Sequence, residues 1–175
     1  MLKDAKHRVW FGTWGDGLWR MDNSGKFVEI KPYGEEDALK KVHALYEDSE
    51  QSIWVGTQIN GLFRYQAESS SKILHSSMIG YPNVDASCFW ERPDGSLFVG
   101  SDGSGAYLVD SEGRFVQQMK SFDKMGRSIL SFSPWGKDTS LVSSWFGGIG
   151  KVTADGEVLP IPYGNLENTI NSSKC

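Results

Sequence analysis

Short apolar segments alternate with polar turns along most of this chain. The pattern is clearest between residues 42 and 75, where apolar or alternating segments cover Val42–Tyr46, Ile53–Thr57, Leu62–Tyr65 and Lys72–His75. Segments of four to six residues with this spacing are typical of β-strands, and the polar residues between them are typical of tight turns. The sequence therefore predicts four short antiparallel strands in this stretch.

The same pattern recurs at a fixed interval. Trp10-Phe11-Gly12-Thr13 returns as Trp54-Val55-Gly56-Thr57, then as Phe98-Val99-Gly100-Ser101, and in a degenerate form as Leu141-Val142-Ser143-Ser144. The glycine that follows each copy lies at 17, 61, 105 and 148, so the steps are 44, 44 and 43 residues. A period in the forties built from short strands indicates the blades of a β-propeller.

The repeats predict an all-β protein with about four blades of four antiparallel strands. We place the repeats at residues 1–37, 38–81, 82–125 and 126–166, within one partial propeller domain spanning 1–175, and the start of a further strand at 167–175. The first copy opens just before its second strand, so we expect three complete blades and one divided between the two ends of the chain. Such a chain could form a closed four-bladed ring, half of a ring completed by a second copy, or a fragment of a seven- or eight-bladed ring. Large apolar residues favour the last two alternatives.

Two turn features support this organisation. Glycine follows an acidic residue at Gly95, Gly113 and Gly156, where hairpins need unusual backbone angles. Gly12, Gly56 and Gly100 lie inside predicted strands, which indicates a close approach of a neighbouring strand.

Composition excludes several functional classes. The 175 residues include 18 basic and 22 acidic side chains, a net charge of −4, which argues against nucleic-acid binding and against contact with an anionic membrane. No apolar run approaches the roughly 20 residues of a membrane span, and no apolar segment of a signal peptide follows Met1. The two cysteines form no disulfide or metal-site pattern, and Cys88 is predicted to be a packed residue. We expect no cofactor and no metal.

The repeats resemble two-component regulator propeller repeats. The resemblance rests on residues 10–20, on Glu47-Asp48 with Ile53–Tyr65, and on the closing Asn168-x-Ile170-Asn171-Ser172. It implies a ligand-binding sensor region of a bacterial hybrid histidine kinase, often periplasmic, seven-bladed and frequently directed to oligosaccharides. The chain has about four repeats and no kinase, receiver or transmembrane segment. We therefore expect a non-enzymatic module of a longer, membrane-anchored periplasmic sensor, or a cytoplasmic protein if the chain is the whole natural product.

Two alternative functions stay open. A propeller can be a protein–protein interaction module without a small ligand. Residues 148–158 are also similar to the propellers of streptogramin lyases, which need a histidine and metal-binding carboxylates on one face. His7, His43 and His75 all lie outside that repeat, which disfavours the lyase.

The strand order predicts where a ligand would bind. Turns between second and third strands share one face with the links between blades, and their side chains differ most among the repeats. Tryptophan and phenylalanine there could stack on sugar rings, and polar residues could bind hydroxyl groups, although packing between blades is the alternative role for the aromatic residues. The candidate ligand-binding residues are Trp14, Asp16, Gln58, Asn60, Asp102, Ser104, Trp145, Phe146, Tyr33 and Tyr81, for an oligosaccharide or other small ligand. A second copy could complete the ring as a homodimer.

Overall fold

Four antiparallel sheets make up the fold. The computed structural model describes residues 1–32, 37–66, 69–74 and 84–162, with the backbone alone described at 69–74. Each sheet has four strands that lie side by side in chain order. The predicted all-β class and the four-stranded propeller blades are confirmed.

The sixteen strands of the described residues form four consecutive blades. Blade 1 contains β1 (Leu2–Lys3), β2 (Val9–Gly12), β3 (Leu18–Met21) and β4 (Phe27–Ile30). Blade 2 contains β5 (Val42–Glu47), β6 (Ile53–Thr57), β7 (Leu62–Gln66) and β8 (Ser69–Leu74). Blade 3 contains β9 (Ala86–Glu91), β10 (Leu97–Ser101), β11 (Gly105–Val109) and β12 (Phe115–Gln118). Blade 4 contains β13 (Ile129–Pro134), β14 (Thr139–Ser144), β15 (Gly148–Thr153) and β16 (Val158–Pro160), after a 3-10 helix at Lys120–Met125.

Blade 1 has its own first strand, where the sequence analysis predicts none. Leu2 and Lys3 pair with Trp10 and Val9, so the expectation of a blade divided between the termini is wrong for this end of the chain. The buried carboxylate of Asp4 forms the turn that follows. It accepts hydrogen bonds from the Arg8 amide at 2.8 Å and from the Trp10 indole at 2.8 Å. Burial opposes the charge, but these bonds and the Arg8 guanidinium outweigh it and hold the pKa of Asp4 below its ordinary value. The segment predicted to begin the divided strand, 167–175, lies outside the described residues.

The same turn recurs 44 residues later. Asp48 accepts the Ser52 amide at 2.7 Å and the Trp54 indole at 2.7 Å. At the corresponding positions, blade 3 has Arg92 and Phe98, so the acceptor and the indole donor are both replaced. The repeat therefore preserves an individual hydrogen bond, from the tryptophan indole to the aspartate carboxylate. Where the aspartate is replaced in blade 3, the tryptophan is replaced as well.

Each inner blade buries both faces of its sheet. In blade 2, Trp54 and Leu62 pack with residues of blade 3, whereas Val55 and Phe63 pack with residues of blade 1. A third cluster joins blade 3 to blade 4 through the buried side chains of Phe98 and others. Among the described residues, no such cluster joins blade 4 to blade 1. This part of the chain is therefore an open arc, and the first strands of neighbouring blades contact one another along its inner edge.

Three strand glycines allow the blades to approach closely, as predicted. A Cβ on Gly12 would come within 3 Å of Val42, the first residue of β5. A Cβ on Gly56 would come within 3 Å of the carbonyl oxygen of Ala86 in β9. A Cβ on Gly100 would come within 3 Å of the Ile129 side chain in β13. At each contact, the second strand of one blade touches the first strand of the next.

Carboxylates on the opposite side of the blades join neighbours as well. Both oxygens of Glu47 accept the amide of Ala5, at 3.0 and 2.9 Å. Glu91 accepts the amide of Ser49 in the same manner, at 3.1 and 2.9 Å. Each carboxylate ends a first strand and binds the turn of the preceding blade, so we call this contact the carboxylate latch. Between blades 3 and 4, Pro93 and Pro134 occupy the two positions, and neither an amide hydrogen nor a carboxylate is present.

We expect Gly56→Ala to destabilise the protein strongly. The new methyl group would press on the backbone of Ala86, which cannot move without separating blades 2 and 3. Overpacking at such a site costs about 3 kcal/mol. The control is Gly25→Ala, because Gly25 has a φ of 84° and open space around it, and it should lose only about 1 kcal/mol. Urea unfolding of both variants measures the difference, and equal losses would contradict the close-approach explanation.

Candidate functional site

The two faces of the arc differ in how their polar groups are used. The hairpin face contains the turns between first and second and between third and fourth strands. There Asp22 accepts the amides of Ser24 and Lys26, at 2.9 and 3.0 Å, and Asp110 accepts those of Glu112 and Arg114, at 3.0 and 2.8 Å. These carboxylates bind their own turns. The opposite face, which we call the loop face, contains the turns between second and third strands and the links between blades.

Trp14 projects from the loop face with 60% of its surface exposed. Its backbone forms a bridge with Lys41, and the Val42 amide donates to the Thr13 carbonyl at 2.9 Å. The Lys41 ammonium lies 5.6 Å from the centre of the indole ring, and the His43 ring meets the indole edge-on at 6.0 Å. Residues at the start of blade 2 therefore fix the position of an exposed tryptophan from blade 1.

His43 continues this contact toward blade 3. Its Nδ1 forms a hydrogen bond with Oδ1 of Asp85, which lies just before β9. The Asp102 amide donates to the Asp85 carbonyl at 2.9 Å, so the turn after β10 lies against the same residue. Burial raises the pKa of the Asp85 carboxyl above its ordinary value; His43 opposes this shift and the charge of Asp102 adds to it.

We call Trp14, Lys41, His43, Asp85 and Asp102 the loop-face cluster. It joins an exposed aromatic ring, a cation, an imidazole and two carboxyl groups from three consecutive blades. A flat apolar surface beside several donors and acceptors suits a polar ligand with ring faces.

The sequence analysis missed three members of this cluster. Lys41, His43 and Asp85 lie at or just before the first strands, whereas most of the predicted ligand-binding residues lie in the turns after the second strands. A signal was available, because Lys41 and Asp85 occupy the same position in consecutive repeats and have opposite charges. Variation between the copies therefore indicates candidate binding residues at the starts of the blades as well as in the turns.

The other predicted residues of blades 1 to 3 have different surroundings. The side-chain amide of Asn60 donates to the Ala38 carbonyl at 2.9 Å, and the backbone amide of Gln58 donates to the Lys41 carbonyl at 3.0 Å. Ser104 is buried, with 6% of its surface exposed. Asp16 is exposed, and its carbonyl accepts the Trp19 indole at 2.8 Å. The structure thus places Asn60 and Gln58 against the link before blade 2, and it does not bring Ser104 to the surface.

Trp145 and Phe146 lie in the corresponding turn of blade 4. They are 69% and 86% exposed, the Trp145 amide donates to the Ser128 carbonyl at 3.0 Å, and the Gly147 amide donates to the Ser144 hydroxyl at 2.8 Å. Blades 2 and 3 separate them from Trp14 along the arc. The predicted ligand residues Tyr33 and Tyr81 lie outside the described residues.

No group of three or more His, Cys, Asp or Glu side chains among the described residues is arranged to hold a metal ion. None of the helices in that part of the chain has the length and apolar character of a membrane span.

Comparison with known proteins supports the interpretation of the repeats. Residues 39–58 match the two-component regulator propeller family. This segment contains β5 and β6, so the resemblance to these repeats is confirmed there. Among curated proteins, sequence comparison finds no match.

Solved structures show the same fold. The extracellular domain of BT3049 from B. thetaiotaomicron, described as a hybrid two component system, has a TM-score of 0.77 and 19% identity, covering 95% of this chain and 22% of that one. The extracellular domain of BT4673 from the same organism has a TM-score of 0.72 and 20% identity, covering 94% of this chain and 25% of that one. A protein described as a gluconolactonase has a TM-score of 0.56 and 8% identity, covering 90% and 58%. The chain therefore spans about a quarter of the two-component domains.

We expect the Asp85 carboxyl to respond to both of its charged neighbours. His43→Ala should raise the pKa of Asp85 further, because the imidazole favours the ionised carboxylate. Asp102→Asn should lower it by removing a nearby negative charge. Carboxyl-detected NMR titration measures both shifts, and His7→Ala, in an exposed turn of blade 1, is the control. An unchanged pKa of Asp85 in both test variants would contradict the described cluster.

Proposed function

We propose that this chain, which contains a two-component regulator propeller repeat, is a non-enzymatic ligand-binding sensor module of a two-component signalling protein, and that it binds an oligosaccharide at the loop-face cluster. The observation that supports the proposal most directly is the exposed ring of Trp14, which Lys41 and His43 contact from the adjacent blade. Exposing a large aromatic side chain forfeits hydrophobic stabilisation, so an exposed and positioned tryptophan favours a binding role.

The chemistry of the cluster favours a sugar ligand. The apolar face of a pyranose ring can cover an indole, while its hydroxyl groups need donors and acceptors at the ring edge. His43 offers an imidazole in contact with the Trp14 ring, and Asp85 offers a carboxyl group bonded to that imidazole. Asp102 adds a negative charge near Asp85. Lys41 supplies a cation, so an acidic sugar could be held as well as a neutral one.

Signalling would follow from the position of the cluster across three blades. A ligand that contacts Trp14 and Asp85 together would favour one spacing of blades 1, 2 and 3 over others. A ligand shifts an equilibrium only by its difference in affinity for the two states, and a site shared between blades provides that difference. The kinase that responds would lie outside this chain.

The relatives of known structure also support a location outside the cytoplasm. Both two-component matches are extracellular domains, and this chain has their fold. We therefore propose a periplasmic location, as part of a longer membrane-anchored sensor. The lyase alternative gains no support, because blade 4 contains no histidine, and the likeness to a gluconolactonase at 8% identity shows the fold alone.

We expect titration calorimetry with a panel of neutral and acidic oligosaccharides to identify a ligand for the chain. Trp14→Ala should weaken binding at least about tenfold, or about 1.4 kcal/mol, because the stacking surface is lost. Trp135→Ala is the matched control, since Trp135 is 62% exposed but lies in a turn of the hairpin face.

Two results would contradict the proposal. Equal affinities of the Trp14 and Trp135 variants would exclude the loop-face cluster as the site. Absence of binding across the panel, with a folded chain, would favour the protein–protein interaction module instead.

A further inference from the structure

A groove lies on the hairpin face where blades 2, 3 and 4 meet. It has a volume of about 440 Å³, within the roughly 300–1,000 Å³ of small-molecule pockets. Each of the three blades contributes to its lining, through Tyr46 and Ser49, through Trp90 and Arg92, and through Pro134 and Lys137. We call it the hairpin-face groove. It lies between described blades rather than on the outer sheet face of blade 1 or blade 4.

The groove lies at the contact between blades 3 and 4, which lacks the carboxylate latch. At the two preceding contacts, Glu47 and Glu91 each bind a backbone amide of the preceding blade. Pro93 and Pro134 occupy the two latch positions between blades 3 and 4, and both line the groove. Neither blade therefore places a carboxylate at these positions, and two apolar rings border the space instead.

Arg92 occupies a repeat position that holds a carboxylate in blades 1 and 2. Asp4 and Asp48, at that position, are buried and accept the indole of a tryptophan. In blade 3 the guanidinium carbon of Arg92 lies 5.3 Å from the centre of the Phe98 ring, and Nη1 donates to the Ser96 hydroxyl at 2.9 Å. The Nε of Arg92 is buried and has no hydrogen-bond partner among the described residues. The sign of the charge is thus inverted beside the groove, and the guanidinium keeps unused donor capacity.

The free charges that line the groove are positive. Among its described lining residues, Glu91 is the only carboxylate, and the turn of blade 2 already binds both of its oxygens. Arg92 and the exposed Lys137 are the cations of the lining. Asp94 and Asp155 lie outside the lining and interact with Arg92, but both are exposed, so solvent weakens these pairs. An anion in the groove would therefore meet two cations and no free carboxylate of the lining.

From the missing latch and the two cations we propose that the hairpin-face groove binds a small organic carboxylate with an apolar body. Arg92 and Lys137 hold the carboxylate, because a guanidinium presents its donors in a planar fork that matches two oxygens. Pro93, Pro134 and Trp90 contact the apolar body. The ligand joins blades 3 and 4 where the chain has no latch of its own. This site is additional to the loop-face cluster and lies on the other face of the arc.

Titration calorimetry with phenylacetate and its neutral analogue phenylacetamide tests the site. The wild-type chain should bind phenylacetate at least about tenfold more tightly, because only the acid can pair with the two cations. Arg92→Gln and Lys137→Gln should each weaken phenylacetate binding at least about threefold. The control is Arg114→Gln, which should leave the affinity unchanged, since Arg114 is an exposed arginine of the same blade and face that pairs with Asp110.

Equal affinities for the acid and the amide would overturn the proposal, and so would absence of binding by the folded wild-type chain. An affinity for phenylacetate that neither Arg92→Gln nor Lys137→Gln lowers would overturn it too, because the acid would then bind elsewhere. Lys137 is exposed, so Lys137→Gln should keep the fold even if Arg92→Gln does not, and circular dichroism checks both. Trp14→Ala should leave phenylacetate binding unchanged, which separates this site from the oligosaccharide site.

Discussion

The contact between the second strand of one blade and the first strand of the next is the constraint on which the structure depends. Gly12, Gly56 and Gly100 lie at this contact, and in each case a single added carbon would meet the neighbouring blade. A four-stranded sheet with apolar residues on both faces cannot bury them alone, so each blade gains its stability from its neighbours. In blade 4 the corresponding residue is Ser143, whose hydroxyl oxygen lies 2.8 Å from that of Ser131 in its own blade.

Much of the fold could be predicted because the repeat encodes contacts that are local or one period apart. Glycine is required at Gly113 by a φ of 85° and at Gly56 by the close approach of the next blade. The glycine itself therefore indicates the turn or the close contact in the sequence. The first strand of blade 1 could not be recognised, because two residues have no periodicity. Its real signal was the spacing of Asp4 and Trp10, which Asp48 and Trp54 repeat through the same hydrogen bond.

The candidate site was harder to predict for a physical reason. His43 and Asp85 are 42 residues apart and belong to different blades, so no local pattern relates them. Trp14 could be identified as an exposed aromatic residue in a turn, but the contacts that position its ring come from the next blade. Ser104 shows the converse case, because a polar residue in a turn suggests exposure and packing between strands buries it. Sequence pattern locates the elements, whereas the environment of a side chain depends on how blades pack.

The two faces of the arc differ in role: the hairpin face carries contacts that stabilise the blades, and the loop face carries the candidate binding site. On the hairpin face, Asp22 and Asp110 bind their own turns, and the carboxylate latches of Glu47 and Glu91 join adjacent blades. The replacement of both latch positions by Pro93 and Pro134 shows the two sides of a latch changing together. On the loop face, Lys41 and Asp85 differ in charge at the same repeat position, while the first strands that follow them are kept. Contacts on the hairpin face hold the turns and blades together, whereas side chains on the loop face differ between the repeats. A binding site can therefore arise on the loop face without loss of the fold, and the exposed Trp14 lies on that face.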